Sequence, residues 1–191
     1  MRRLYIIAGC NGAGKTTASY TILPEILNCT EFVNADEIAR GLSPFQPSSA
    51  AIEAGRLMLK RIEKHLTSGN SFAFETTLST RSYRALVKRA KELGFQVTCV
   101  FFWLQSENLA ISRVQSRVKE GGHDIPEEVI RRRYHSGLKN FFELFLPLID
   151  NWLFVDNSGD RYEIIAEGSV SETIVHDQLA WASIQEKYNG G

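Results

Sequence analysis

The chain has 191 residues, 43% hydrophobic and 23% charged, with 5 prolines. That size and balance suit one buried core and exclude a disordered or fibrous protein. The formal net charge of zero is unevenly placed, because residues 1–139 carry 20 Lys and Arg against 13 Asp and Glu while residues 140–191 carry 2 against 9; this is not the strongly basic domain of a general nucleic-acid binder, but its basic part suits a compact, highly charged ligand such as a nucleotide.

Residues 1–191 read as a single domain with no repeat and no linker. The longest apolar run, Val97 to Leu104, is far short of the roughly 20 residues of a membrane helix. Arg2-Arg3 followed by Leu4 to Cys10 imitates a lipoprotein signal, yet the apolar stretch is too short and flows into another motif, so a cytoplasmic location is expected. Cys10, Cys29 and Cys99 form no C-x-x-C pair, which suits a reducing compartment and suggests neither a zinc site nor a disulfide framework.

In chain order, Arg3 to Ala8 is a β-rich apolar run entering a glycine-rich turn, and Lys15 to Leu23 reads as a helix stopped by Pro24. Glu31 to Ala35 reads as a short second strand, Ser48 to Ser68 as a long helix closed by Gly69, and Ser71 to Thr76 as a third strand. A helix from about Ser79 to Leu93 follows, closed by Gly94, then a strand from Phe95 to Leu104 apolar enough for the middle of a sheet covered on both faces. Ser106 to Glu120 is a helix ending at Gly121-Gly122, and Pro126 opens another through Arg133. Trp152 to Asp156 and Arg161 to Glu167 are late strands joined by a turn, and Ser171 to Tyr188 reads as a terminal helix. The alternation predicts an α/β fold with a mostly parallel sheet flanked by helices.

Gly9-Cys10-Asn11-Gly12-Ala13-Gly14-Lys15-Thr16 fits G-x-x-x-x-G-K-[S/T] and lies where its mechanics require, after an apolar strand and at a helix start. The fold class expected is therefore a P-loop NTPase fold. Gly9, Asn11, Gly12, Ala13, Gly14, Lys15, Thr16 and Thr17 are expected to cradle the phosphates of ATP, with Lys15 reaching the β and γ phosphates and the Thr16 hydroxyl on Mg²⁺.

Asp36, read as ending the second strand, is expected on the carboxyl edge of the sheet, where it can accept a substrate proton or hold Mg²⁺ through water; the alternative is an Asp capping a short helix from Glu37 to Gly41. Glu75 and Thr77 end the third strand in the same way, and a carboxylate closing so apolar a strand is better explained by ligand contact than by packing. Arg113 and Arg117, four apart, precede Gly121-Gly122, and Arg131, Arg132 and Arg133 follow it; this predicts a short arginine-rich lid, with Arg131 a solvated bystander and His123 and His135 as lid or surface residues.

These residues resemble the zeta toxin family of P-loop kinases over about residues 4–168. The resemblance rests on Lys15 and Thr16, the Asn-x-Asp ending in Asp36, Glu-x-Thr at Glu75 and Thr77, the Arg113 helix before a proline-opened lid helix, and the closing hairpin through Asp156-Asn157 to Glu167. It implies an ATP-dependent kinase in which Asp36 is the base, Glu75 and Thr77 touch substrate, Arg113 clamps the γ-phosphate and a small antitoxin protein is the partner. The acceptor it implies is a small molecule, UDP-N-acetylglucosamine first. Members of the larger branch carry an arginine soon after Glu-Gly-Thr, where the nearest here is Arg81, and a second clamp before the lid proline, where this chain has His123 and Arg117, Arg132 or Arg133 would compensate. The rival readings are a P-loop ATPase or switch in which Asp156 holds Mg²⁺, and a kinase of another small metabolite or nucleotide; no N-K-x-D or L-S-G-G-Q element favours the switch.

Overall fold

In the computed structural model, described over residues 1–122 and 124–189, seven strands form one sheet in the order β2-β3-β1-β4-β5-β6-β7. They are β1 (Arg2–Gly9), β2 (Phe32–Val33), β3 (Phe72–Thr76), β4 (Phe95–Trp103), β5 (Asn151–Asp156), β6 (Glu163–Ser169) and β7 (Thr173–Val175). The first five pair in parallel, and β6 and β7 add antiparallel at one edge. Helices α1 (Lys15–Thr21), α2 (Ala35–Leu42), α3 (Ala51–Ser68), α4 (Tyr83–Glu92), α5 (Glu107–Lys119), α6 (Glu127–Asn140) and α7 (Gln178–Tyr188) complete the fold. Fully buried Leu4, Ile6, Phe72, Phe74, Phe102 and Phe154 show why the central strands read as near-continuous apolar runs: both sheet faces are covered. Among the described residues no helix is long and apolar enough to cross a membrane. The three cysteines are free and buried.

Four elements differ from the sequence reading. The second strand stops at Val33, because Asn34 leaves the ladder to cap α2 and accepts the Asp36 and Glu37 N–H groups at 2.8 and 3.3 Å. The first helix passes through Pro24 as a π-helical turn, Ile22–Ile26. Helix α6 does not end at Arg133 but runs to Asn140 and into a second π-turn, Phe141–Phe145, because Ile130, Tyr134, Leu138 and Phe141 keep one buried face. The tail is a strand before it is a helix: Thr173-Ile174-Val175 pairs with β6, and Asp177 then caps α7 by accepting the Ala180 N–H at 3.0 Å. Trp181 of α7 stacks on Trp152 at 5.3 Å, fixing that helix against the sheet.

His65, in the last turn of α3, is 7% exposed, stacks on Phe72 at 5.1 Å and leaves Nδ1 without a partner. Burial holds its imidazole below the usual histidine range; Glu31 opposes that shift, while Arg61 and Lys64 add to it. The unfolded chain therefore binds the proton first as pH falls, so stability is lost as pH drops through about 6.5 toward the folded-state value. His65→Phe is expected to keep the stack and flatten that part of the acid limb in urea melts between about pH 7 and pH 5; wild type and variant losing stability in parallel would sink the assignment.

Candidate active site

The loop between β1 and α1 is shaped by glycines that no other residue could replace without strain. Gly9 has φ +136° and a Cβ there would lie 2.2 Å from the Phe102 carbonyl oxygen, so the loop can leave the sheet only beside bare backbone. Gly14 has φ +77° and would meet Asn157 Nδ2 at 2.4 Å; that same amide donates to the Ala13 carbonyl at 2.9 Å. Cys10 of the loop is buried, which pushes its thiol up to about 11 despite the cations Lys15 and Arg113, so it stays neutral at physiological pH.

Behind the loop lies a charged cluster under low exposure. Lys15 Nζ donates to the Cys10 carbonyl at 2.9 Å and stands 3.5 Å from Glu75 Oε1, the two side chains being 6% and 10% exposed. The Thr16 hydroxyl donates to Glu75 Oε2 at 2.7 Å, and Asn34 Nδ2 donates to the same oxygen at 2.8 Å. Both Glu75 oxygens are thus held, and the proton of Thr16 is directed inward. A hydroxyl oxygen that donates its proton keeps lone pairs for a cation. Glu75 can do this because β3 is the direct neighbour of β1, with Ile7 opposite Glu75.

The cluster floors a cleft of about 1580 Å³. Asp36, in the first turn of α2 rather than at the end of a strand, opens onto it as an exposed carboxylate; the helix cap is Asn34, not Asp36. Arg133 enters from α6, donates to Asn11 Oδ1 at 3.1 Å, and faces Asp36 electrostatically. Burial lowers the Arg133 pKa from its usual value, the Asp36 charge opposes that, and the guanidinium remains a cation at any pH of interest. Gly137, one turn further on, would put a Cβ 2.5 Å from the Thr77 carbonyl oxygen, so its bare backbone is what lets α6 press on the loop after β3 and carry Arg133 inward. Asn140 secures the same contact by donating to the Leu78 carbonyl at 2.7 Å.

The other expected site residues divide clearly. Asn11, Gly12, Gly14, Lys15, Thr16, Thr17, Asp36, Glu75, Thr77, Arg113, Arg117 and Arg133 line the cleft. Gly9 and Ala13 shape the loop from behind without lining it. Arg81 and Arg132 are exposed outside it. Arg113 donates to the Asn157 and Ser158 carbonyls at 2.7 and 3.1 Å, which anchors it to the loop after β5. Arg131 is no solvated bystander, since it pairs with Glu107 at 2.6 Å, and Glu107 also meets His135 Nε2 at 2.6 Å. His123 lies outside the described residues. Asp156 does not face the cleft: it accepts the Ser158 N–H at 2.7 Å and the Ser158 hydroxyl, and β4 separates its strand from β1. Asn34, Gly137 and Asn140 were missed by sequence reasoning. The Asn-x-Asp spacing was the one available signal, and it was attached to Asp36.

Comparison with known proteins agrees with this fold. A family model described as an AAA domain matches residues 4–140. The chain belongs to the AAA domain family. An uncharacterized protein of Haemophilus influenzae is 32% identical to this AAA domain protein over 126 residues, 66% of this chain and 88% of that one. Among solved structures, a chain of the AvrRxo1-ORF1:-ORF2 complex with ATP matches with a TM-score of 0.74 at 18% identity, covering 96% of this chain. This chain spans 63% of the length of that one. A chain of the PezAT chromosomal toxin-antitoxin system of Streptococcus pneumoniae matches with a TM-score of 0.70 at 16% identity, covering 100% of this chain and 80% of that one. These likenesses show the fold, a P-loop NTPase fold.

The residues of this AAA domain fit a magnesium nucleotide. Among the described residues no group of three or more His, Cys, Asp or Glu could cage a metal. The donor set offered is instead a threonine hydroxyl with a carboxylate behind it, which suits a hard cation that keeps waters and takes its remaining ligands from phosphate oxygens.

Proposed function

We propose that the protein is an ATP-dependent kinase that transfers the γ-phosphoryl group to a hydroxyl of a small acceptor. The observation that carries this reading is that the cleft continues past the phosphate loop. The cleft that holds Lys15, Thr16 and Asp36 is lined also by Phe45, Arg56, Thr77 and Tyr83, none of which belongs to the phosphate loop. An ATPase needs room for water; this cleft has room for a second substrate.

In the proposed reaction the acceptor hydroxyl oxygen bonds to the γ-phosphorus, its proton passes to an Asp36 carboxylate oxygen, and the bond from the γ-phosphorus to the bridging oxygen breaks to release ADP. Lys15 and Arg133 neutralise charge on the phosphoryl oxygens, and Arg113 and Arg117 close the α5 side. Thr16, with Glu75 behind it, would hold Mg²⁺, which supplies charge neutralisation at the β and γ phosphates. Glu75, expected from the sequence as a substrate contact, is better matched to this supporting role, leaving Thr77 on the acceptor side.

UDP-N-acetylglucosamine is the first acceptor to test. Phe45 is 99% exposed at the cleft mouth, a placement that suits stacking on a planar base, and Arg56 has no ion-pair partner among the described residues, which suits an anionic group. Mass spectrometry of this nucleotide sugar after incubation with protein and Mg·ATP is expected to show one added phosphoryl group. ATP consumed with the sugar unchanged would move the reading to another acceptor or to an ATPase. A small protein partner covering the cleft belongs to the same proposal, and co-purification with a neighbouring small gene product would test it.

A further inference from the structure

Asn34 is 5% exposed and lies between two parts of the site. Its Oδ1 accepts the N–H groups of Asp36 and Glu37 at 2.8 and 3.3 Å, while its Nδ2 donates to Glu75 Oε2 at 2.8 Å and reaches Thr16 Oγ1 at 3.4 Å. One planar amide therefore ties the first turn of α2 to the carboxylate that takes the Thr16 hydroxyl proton. We infer that Asn34 is a positioning residue that couples the cation side of the phosphate loop to the proton acceptor Asp36. This rests on the phosphotransfer reading above.

This double role explains why the position is asparagine. As an N-cap alone, Ser or Asp serves about as well. Of the three, the amide alone carries its acceptor and a permanent donor on separate atoms, so it can hold the helix with one and reach a carboxylate with the other. The donor matters because Glu75 is nearly buried, and Lys15, the one cation among the described residues that ion-pairs with it, stands at 3.5 Å on the opposite oxygen. Without Nδ2, Oε2 keeps only the Thr16 proton among the described residues, and the hydrogen bond that links it to the cap of α2 is gone. Asp36 is two residues past the cap, so a rotation of that first turn moves its carboxylate directly.

Two substitutions separate the halves of this role. Asn34→Ser keeps a cap, but its one short hydroxyl cannot span from the helix to Glu75 as the amide does; transfer is expected to fall about tenfold in kcat, with KM for ATP changed less than about twofold, because a contact that orients the reacting groups has been lost and not one that binds nucleotide. Asn34→Asp keeps the cap but sets a carboxylate against Glu75 in place of the donor, so its kcat is expected to fall at least as far as that of Asn34→Ser, again with KM for ATP changed less than about twofold. Wild-type kcat in both variants, or a rise in KM for ATP that matches the loss of kcat, would overturn the proposal.

A third measurement needs no transfer reaction. In the ligand-free Lys15→Ala protein, where removing Glu75 leaves no lysine unpaired, Glu75→Ala keeps the capping oxygen in place but removes the group that orients it, so amide exchange at Asp36 and Glu37 is expected to quicken about fivefold while exchange in β4 does not quicken. Unaltered exchange at those two amides would overturn the coupling whether or not an acceptor is ever phosphorylated. If no acceptor is phosphorylated while the exchange responds as expected, the kinase reading fails and the coupling stands.

Discussion

Asp36→Asn is expected to lower phosphoryl transfer by about 10²–10⁴-fold while leaving ATP affinity within about twofold of wild type. The carboxylate is exposed in the cleft and makes no hydrogen bond to another described residue, so the amide replaces it without disturbing the cap, which belongs to Asn34. Arg133, which its charge faces, is anchored independently by Asn11 Oδ1 at 3.1 Å. Loss of transfer with retained binding is the signature of a group acting only on the reacting proton. Comparing kcat with a calorimetric Kd for ATP decides it, and equal transfer by variant and wild type would remove Asp36 from the base position.

Lys15→Ala is expected to lose both functions. The ammonium group is the cation nearest the phosphate cradle, and without it ATP affinity should fall by more than about a hundredfold, on the scale of a charge-assisted contact to phosphate in a water-poor site. A second consequence follows from burial. Lys15 and Glu75 are 6% and 10% exposed, so removing the lysine leaves a nearly enclosed carboxylate held, among the described residues, by the neutral donors Thr16 and Asn34. Breaking one side of such a pair destabilises by up to about 3–5 kcal/mol. Lys15→Ala combined with Glu75→Gln should therefore melt higher than Lys15→Ala alone yet bind ATP no better. Thermal unfolding and ATP titration of the two variants separate the roles, and tight ATP binding by Lys15→Ala would contradict the assignment.

The legible features of the site were those encoded within a few consecutive residues. The glycine spacing from Gly9 to Gly14 implies a loop that only positive φ and missing Cβ atoms allow, and Lys15-Thr16 follows at a helix start. The illegible features join residues far apart in the chain. Thr16 meets Glu75 across 59 positions, Arg133 meets Asn11 across 122, and Arg113 meets Asn157 across 44. In one dimension Asp156 is a plausible Mg²⁺ partner and Glu75 a substrate contact; the strand order makes β3, which carries Glu75, and not β5 the neighbour of β1.

The arginines after Gly121-Gly122 show the same division at one helix. Three consecutive arginines cannot share a face, so the sequence required that they diverge. Which one turned inward depended on the length of α6, and its continuation to Asn140 is decided by packing of Ile130, Tyr134, Leu138 and Phe141 in the core and by Gly137 against Thr77. That packing sends Arg133 to the cleft, Arg131 to Glu107 and Arg132 to the surface.

By itself, then, the sequence determined the class of fold, the phosphate loop and the two carboxylates Asp36 and Glu75, because periodicity, glycine placement and strand-end charge are local properties of a chain. Only the tertiary structure decided which carboxylate stands behind Thr16, which arginine faces Asp36 and that Asn34 links them. Those outcomes depend on strand order and helix packing, where groups many residues apart must satisfy one another's hydrogen bonds in a space that excludes water.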